Sequence, residues 1–193
     1  MKKGIQAKDL INIGLFTAIY FVVFFATGML GYIPIMMLAL PFLCPFVAGI
    51  PFMLFLTRVH TFGMVSIMGT ILALLMVLTG HPWQLLPIGI LMAVLGDLVL
   101  RAGNYKDWRS IRLGYIVFSE WLAGMMVPLF FMRDSYFAQI RAGYGDAYAD
   151  ALLSVTPPWV FYLTIVLIVF GALAGAYLGK ATLKKHFKRA GIA

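Results

Sequence analysis

The sequence predicts an all-α integral membrane protein with six transmembrane helices and both termini cytoplasmic. Three observations carry this. Hydrophobic residues fill 63% of the 193 positions and charged residues only 11%, with a mean hydropathy of +0.96, whereas about a quarter of a soluble domain is charged. The apolar residues fall into six stretches near the roughly 20 residues that a helix needs to cross a bilayer. Finally, the chain has 15 Lys and Arg, and on a six-span reading all of them except Arg133 and Arg141 share one face. Basic side chains are retained inside during insertion, which fixes the orientation.

Residues 1–193 read as a single membrane domain. The first helix runs over 10–26, and Gly28, Gly31 and Pro34 mark an outer turn. The second covers 35–56 and contains Pro41, Pro45 and Pro51, which free backbone carbonyls and predict a kinked or partly unwound outer half. Arg58 and His60 make the inner turn before a third helix over 62–79. Gly80, His81 and Pro82 break the chain outside, and the fourth helix spans 83–100. A basic inner loop, Arg101 to Arg112, leads to the fifth helix over 113–132, and the sixth covers 158–178 before a basic tail. The outer segment between the last two is long for a connection. Within it, at 134–153, Tyr136, Ile140, Tyr144, Tyr148 and Leu152 recur every fourth residue, opposite Arg141, Asp146 and Asp150. This spacing predicts an amphipathic helix, weakened by Gly143 and Gly145, that is either interfacial or a lid.

Composition excludes several classes. The net charge of +8 is spread over helix ends and tails, so it predicts a lipid bilayer partner and no nucleic acid. Cys44 is alone in the chain and cannot form an internal disulfide or a zinc site; no metal or cofactor is expected. The amino-terminal apolar run is long enough to span and no A-x-A site follows it, so cleavage as a signal peptide is not expected. Gly175 to Ala181 only approximates a P-loop, because Ala174 and Ala181 stand where a glycine and a Ser or Thr are required. There is no G-x-S-x-G or H-E-x-x-H, and His60, His81 and His186 are dispersed, so no enzyme is predicted.

Candidate binding residues remain. Glu120, mid-span in the fifth helix, costs a few kcal/mol or more unless paired, hydrated or neutralised, which points to a ligand contact or to an interhelical hydrogen bond. Asp97, four residues before Arg101, reads as a local helix ion pair. His81, Trp83 and Gln84 gather at the outer end of the fourth helix, and Trp159 and Tyr162 at the outer end of the sixth. Such aromatic groups mark a membrane interface or wall a small-molecule cavity, with Tyr136, Tyr144 and Tyr148 as lid residues. Gly171, Gly175 and Gly179 form a close-packing stripe, and Gly14 and Ala18 a weaker pair on the first helix.

The first helix, KDLINIGLFTAIYFVVFF, the final helix and tail, GALAGAYLGKATLKKHFKRAGIA, the size and the six-helix plan together resemble the Trep_Strep family of bacterial integral membrane proteins. That family is similar to the S components of energy-coupling factor (ECF) transporters, and the resemblance spans essentially the whole chain. It implies an S-component-like bundle in the bacterial cell membrane that captures a small vitamin-like micronutrient outside and delivers it inward by toppling. The implied partners are a T subunit and two ATPase subunits. The A-x-x-x-A docking motif of such components falls on Gly14 and Ala18 here, with Gly in place of the first Ala. Alternatives from other classes are an autonomous small transporter or channel, and an intramembrane enzyme using Glu120.

Overall fold

The structure, a computed structural model, describes residues 4–184. Lys2, Lys3, Lys185, His186, Lys188 and Arg189 of the sequence reading lie outside the described residues. The described chain is helical: α1 (Ala7–Gly28), two 3-10 turns (Met29–Tyr32 and Pro34–Leu38), α2 (Leu40–Leu56), α3 (Met64–Leu78), α4 (Leu85–Ala102), α5 (Trp108–Ser119), α6 (Trp121–Phe131), α7 (Arg133–Tyr144), α8 (Asp146–Val155) and α9 (Val160–Thr182). Four helical runs are long and apolar enough to cross a membrane: Ala7–Tyr32, Leu85–Ala102, Trp108–Phe131 and Val160–Thr182. Two shorter apolar helices, α2 and α3, pack among them.

Three departures from the sequence reading have local causes. The second helix is α-helical only from Leu40. Its first part, Pro34–Leu38, is a 3-10 turn, since Pro41 has no N–H to continue an α-helical ladder upstream. The fifth helix starts at Trp108, where the Asp107 carboxylate accepts the Ser110 N–H at 2.8 Å, and it is interrupted at Glu120. The amphipathic segment over 134–153 is two helices, split where Gly145 takes φ +84°, ψ 166°, a conformation open essentially to glycine alone.

The core is built by backbone contact as much as by side chains. α9 lies on α2 through its glycine stripe: a Cβ on Gly171 would strike the Phe42 carbonyl, one on Gly175 the Pro45 and Phe46 carbonyls, and one on Gly179 the Gly49 carbonyl. Small residues let two helices approach so closely. The Tyr115 hydroxyl on α5 donates to the Pro45 carbonyl at 2.6 Å, tying a third helix to this pair.

Asp97 corrects the sequence reading. It is fully buried, and among the described residues it makes no ion pair with Arg101. Its Oδ2 accepts the Gly63 N–H (2.9 Å), the Ser66 N–H (3.0 Å) and the Ser66 hydroxyl (2.8 Å), and its Oδ1 accepts the Tyr105 hydroxyl (2.8 Å). A carboxylate from α4 therefore caps α3, whose own N-cap residue is a glycine with no side chain to do so. Arg101 instead lies over the Phe62 ring at 5.4 Å.

Candidate functional site

The ends of the bundle differ. At one end, α1 begins, α4 ends, α5 begins and α9 ends, and the loops carry the basic residues. At the other, the helix ends splay around a cavity of ≈ 280 Å³, close to the lower limit of small-molecule sites, roughly 300 Å³.

The cavity is assembled from segments spread between α1 and α8. Phe24 and Phe25 come from the last turns of α1, and Gly31, Tyr32 and Met37 from the 3-10 turns. Leu40 and Cys44 come from the first turns of α2, Met76 from α3, and Leu122, Met125 and Met126 from α6. Thr79, His81 and Pro82 form the rim between α3 and α4, and Tyr136, Ile140, Tyr144 and Tyr148 cover it from α7 and α8. No Asp, Glu, Lys or Arg is among these lining residues. The wall is aromatic rings and thioethers with a few hydroxyls, adaptable apolar surface that orients a ligand by few hydrogen bonds.

The cover is fixed at defined points. The Tyr148 hydroxyl donates to the Gly31 carbonyl at 2.6 Å, and the Tyr144 ring lies 6.1 Å from Tyr32 and 5.2 Å from Tyr148. Arg141 on α7 pairs with Asp146 (2.9 Å) and Asp150 on α8, bracing the Gly145 bend. At the root of the cover, Arg133 donates to the Thr156 carbonyl at 2.6 Å and so closes the segment into a loop. Both basic residues that break the charge asymmetry thus have structural partners. Burial, reinforced by Tyr148 and Tyr144 nearby, pushes the Tyr136 hydroxyl up to about 12. It stays protonated and able to donate.

On the rim, His81 Nδ1 lies 3.1 Å from the Met76 carbonyl and 3.2 Å from Thr79 Oγ1. Burial lowers its pKa, opposed by the Met76 carbonyl, so the imidazole is neutral at pH 7.

Below the cavity the chain is filled by rings. One turn down α1 from Phe24, Tyr20 stacks on it at 6.1 Å and meets Phe118 edge-on at 6.0 Å. Phe52, two turns down α2 from Cys44, packs against Tyr115 at 4.5 Å and Phe118 at 4.7 Å. Tyr20, Phe52, Tyr115 and Phe118 are fully buried. The cavity is a dead end.

Of the residues singled out by sequence, His81, Tyr136, Tyr144 and Tyr148 meet in this cavity. Trp83, Trp159 and Tyr162 do not line it; they are 70%, 62% and 74% exposed. Gln84 reaches the junction of α6 and α7, its Nε2 donating to Met132 Sδ at 3.1 Å. Glu120 sits at the α5–α6 break, outside the lining, and its buried Oε1 has no partner among the described residues. Its neighbour Trp121 packs on Phe24 at 4.7 Å, one ring from the cavity. Gly14 and Ala18 are exposed, with nothing within 4 Å of a Cβ built on Gly14. Phe24, Tyr32, Cys44, Met76 and Met126 were not candidates from sequence. Each is one apolar residue in an apolar helix, and only the splay of the helix ends distinguishes it.

A family model described as a hypothetical bacterial integral membrane protein (Trep_Strep) matches residues 7–189. The chain belongs to the Trep_Strep family. It is a multi-pass protein of the bacterial membrane, and the match runs from the first turn of α1 past the end of α9, so the cavity, its cover and the aromatic floor all lie within this Trep_Strep unit. No curated protein and no solved structure matches the chain.

Proposed function

We propose that this Trep_Strep protein is the substrate-binding S component of an ECF-type importer, taking up a small, vitamin-like micronutrient. The observation that carries the reading is the covered, dead-end cavity at the end of the bundle opposite the basic loops. Counting α2 and α3 as crossings together with the four long runs gives six spans with both termini on the basic, cytoplasmic side. The cavity then opens outward, where a nutrient arrives.

A floor of packed rings offers no route through the bundle, so release inside requires the whole body to reorient, which is the toppling that the resemblance implies. The uncharged lining favours a ligand with little net charge, since a buried ion without a counter-charge is costly. A partner surface is available on α1, where exposed Gly14 and Ala18 are flanked by Ile11, Leu15 and Val22, 72%, 54% and 63% exposed. Small residues on such a face admit a second helix closely. A T subunit would dock there, and two ATPases would supply the energy.

Affinity purification of the tagged chain from its native membrane tests this. The expected result is co-recovery of a T subunit and ATPases, lost in Ala18→Trp while ligand binding persists. Substrate uptake by the purified chain alone in vesicles without ATP contradicts it.

A further inference from the structure

We propose that the groove between α5 and α9 at the basic end binds the phosphate of one anionic phospholipid headgroup, held between Arg112 and Lys180. Both cations are organised around a single indole. Lys180 Nζ stands 3.9 Å from the Trp108 ring centroid, and the Arg112 guanidinium lies 5.8 Å from Trp108 and 5.7 Å from Tyr177. One N–H of Arg112 donates to the Tyr177 hydroxyl at 2.8 Å, while its buried Nε has no partner among the described residues. Two like charges share one indole, and the Arg112 Nε keeps an unspent donor.

Among the described residues no Asp or Glu pairs with either cation. The chain has seven Asp and Glu, and each is engaged or distant. Asp9 accepts the Gln6 N–H, Asp97 caps α3 and Asp107 caps α5. Asp146 and Asp150 pair with Arg141, and Asp134 begins α7, at the cavity end. Glu120 is eight residues beyond Arg112, about 12 Å along the helix. Residues 1–3 and 185–193 contain no Asp or Glu. The acids of the basic end are spent on helix caps, leaving its cations to find an anion elsewhere.

Placement selects a lipid over free phosphate. Trp and Tyr at helix ends mark headgroup depth, and α9 presents a stripe of exposed apolar residues, Val166, Phe170 and Tyr177, running from the cation pair toward the bilayer centre. An acyl chain fits along that stripe while the phosphate meets Arg112 and Lys180, a basic pocket between helices of the kind that takes anionic headgroups.

Native mass spectrometry of the full chain, titrated with phosphatidylglycerol or phosphatidylcholine, tests the site. Two cations near a headgroup predict a preference for phosphatidylglycerol of roughly thirtyfold in the wild type, falling to within a few-fold in R112Q/K180Q. Lys180→Gln alone breaks no hydrogen bond among the described residues and covers the case in which the double variant fails to fold; it should lose roughly fivefold. The variant R101Q/K106Q removes equal charge from the same end, beside Phe62 and Tyr105 and away from the α5–α9 groove, and should keep the preference. An equal loss in that variant, an unchanged preference in K180Q, or displacement of the lipid by millimolar inorganic phosphate overturns the proposal. Protection of Arg112 and Lys180 only by an acidic partner protein overturns it in favour of a protein interface.

Discussion

Asp97 shows how a single side chain joins sequence-distant segments. Removing its carboxylate leaves the Gly63 and Ser66 N–H groups and the Tyr105 hydroxyl without their acceptor. Asp97→Ala should therefore cost about 3 kcal/mol or more, read as a fall in the thermal midpoint in detergent, whereas Arg101→Gln should cost little. His81 carries a pH dependence. Its folded pKa lies below the ordinary 6.5, so between the two values the unfolded chain binds more protons than the folded one. Stability is then fully present above about 6.5 and declines as pH falls through that window. Thermal midpoints from pH 7.5 to 5 should decline more steeply in the wild type than in His81→Gln; parallel curves contradict this assignment. The sequence reading of Asp97 failed because i, i+4 spacing sees only the local helix, while the cap it supplies lies 31 and 34 residues away.

Among the elements, the α2–α9 pair and the α7–α8 cover do different work. Backbone meets backbone along Gly171, Gly175 and Gly179, so Gly175→Ala forces two helices apart. It should destabilise the protein by about 1–3 kcal/mol, seen as a lowered unfolding midpoint. Gly145 is needed for its backbone angles, not for space, since nothing lies within 4 Å of a Cβ built there. Gly145→Ala should leave the core stable but misplace α8, and Tyr148→Phe should remove the donor to Gly31; both should speed ligand dissociation in a stopped-flow assay by several-fold. The period-four tyrosine stripe made an amphipathic helical segment legible at 134–153, because such spacing survives in a half-polar segment, but left open whether it is interfacial or a lid. The interruption at Glu120 was not legible, since residues 113–132 are almost uniformly apolar and no proline or glycine falls at the break.

At the scale of the molecule, hydropathy reveals an all-helical membrane chain with several apolar helices, four of them long enough to cross a bilayer, because insertion physics is written into composition. The cavity is a tertiary property. It exists because α1 and α2 are joined by 3-10 turns that hold their ends apart, and because rings from α1, α2 and α5 close the space beneath. Of its lining, His81, Tyr136, Tyr144 and Tyr148 were candidates from the sequence; Phe24, Cys44 and Met76 became lining residues through the packing. The central claim is that this dead-end space holds the substrate. Mass spectrometry of the small molecule retained by the purified chain tests it most directly, comparing wild type with Cys44→Phe, which fills the cavity without touching the basic end. The account predicts one small ligand of little net charge per chain in the wild type and its loss in the filled variant; equal retention by both, or a ligand in neither, would contradict it.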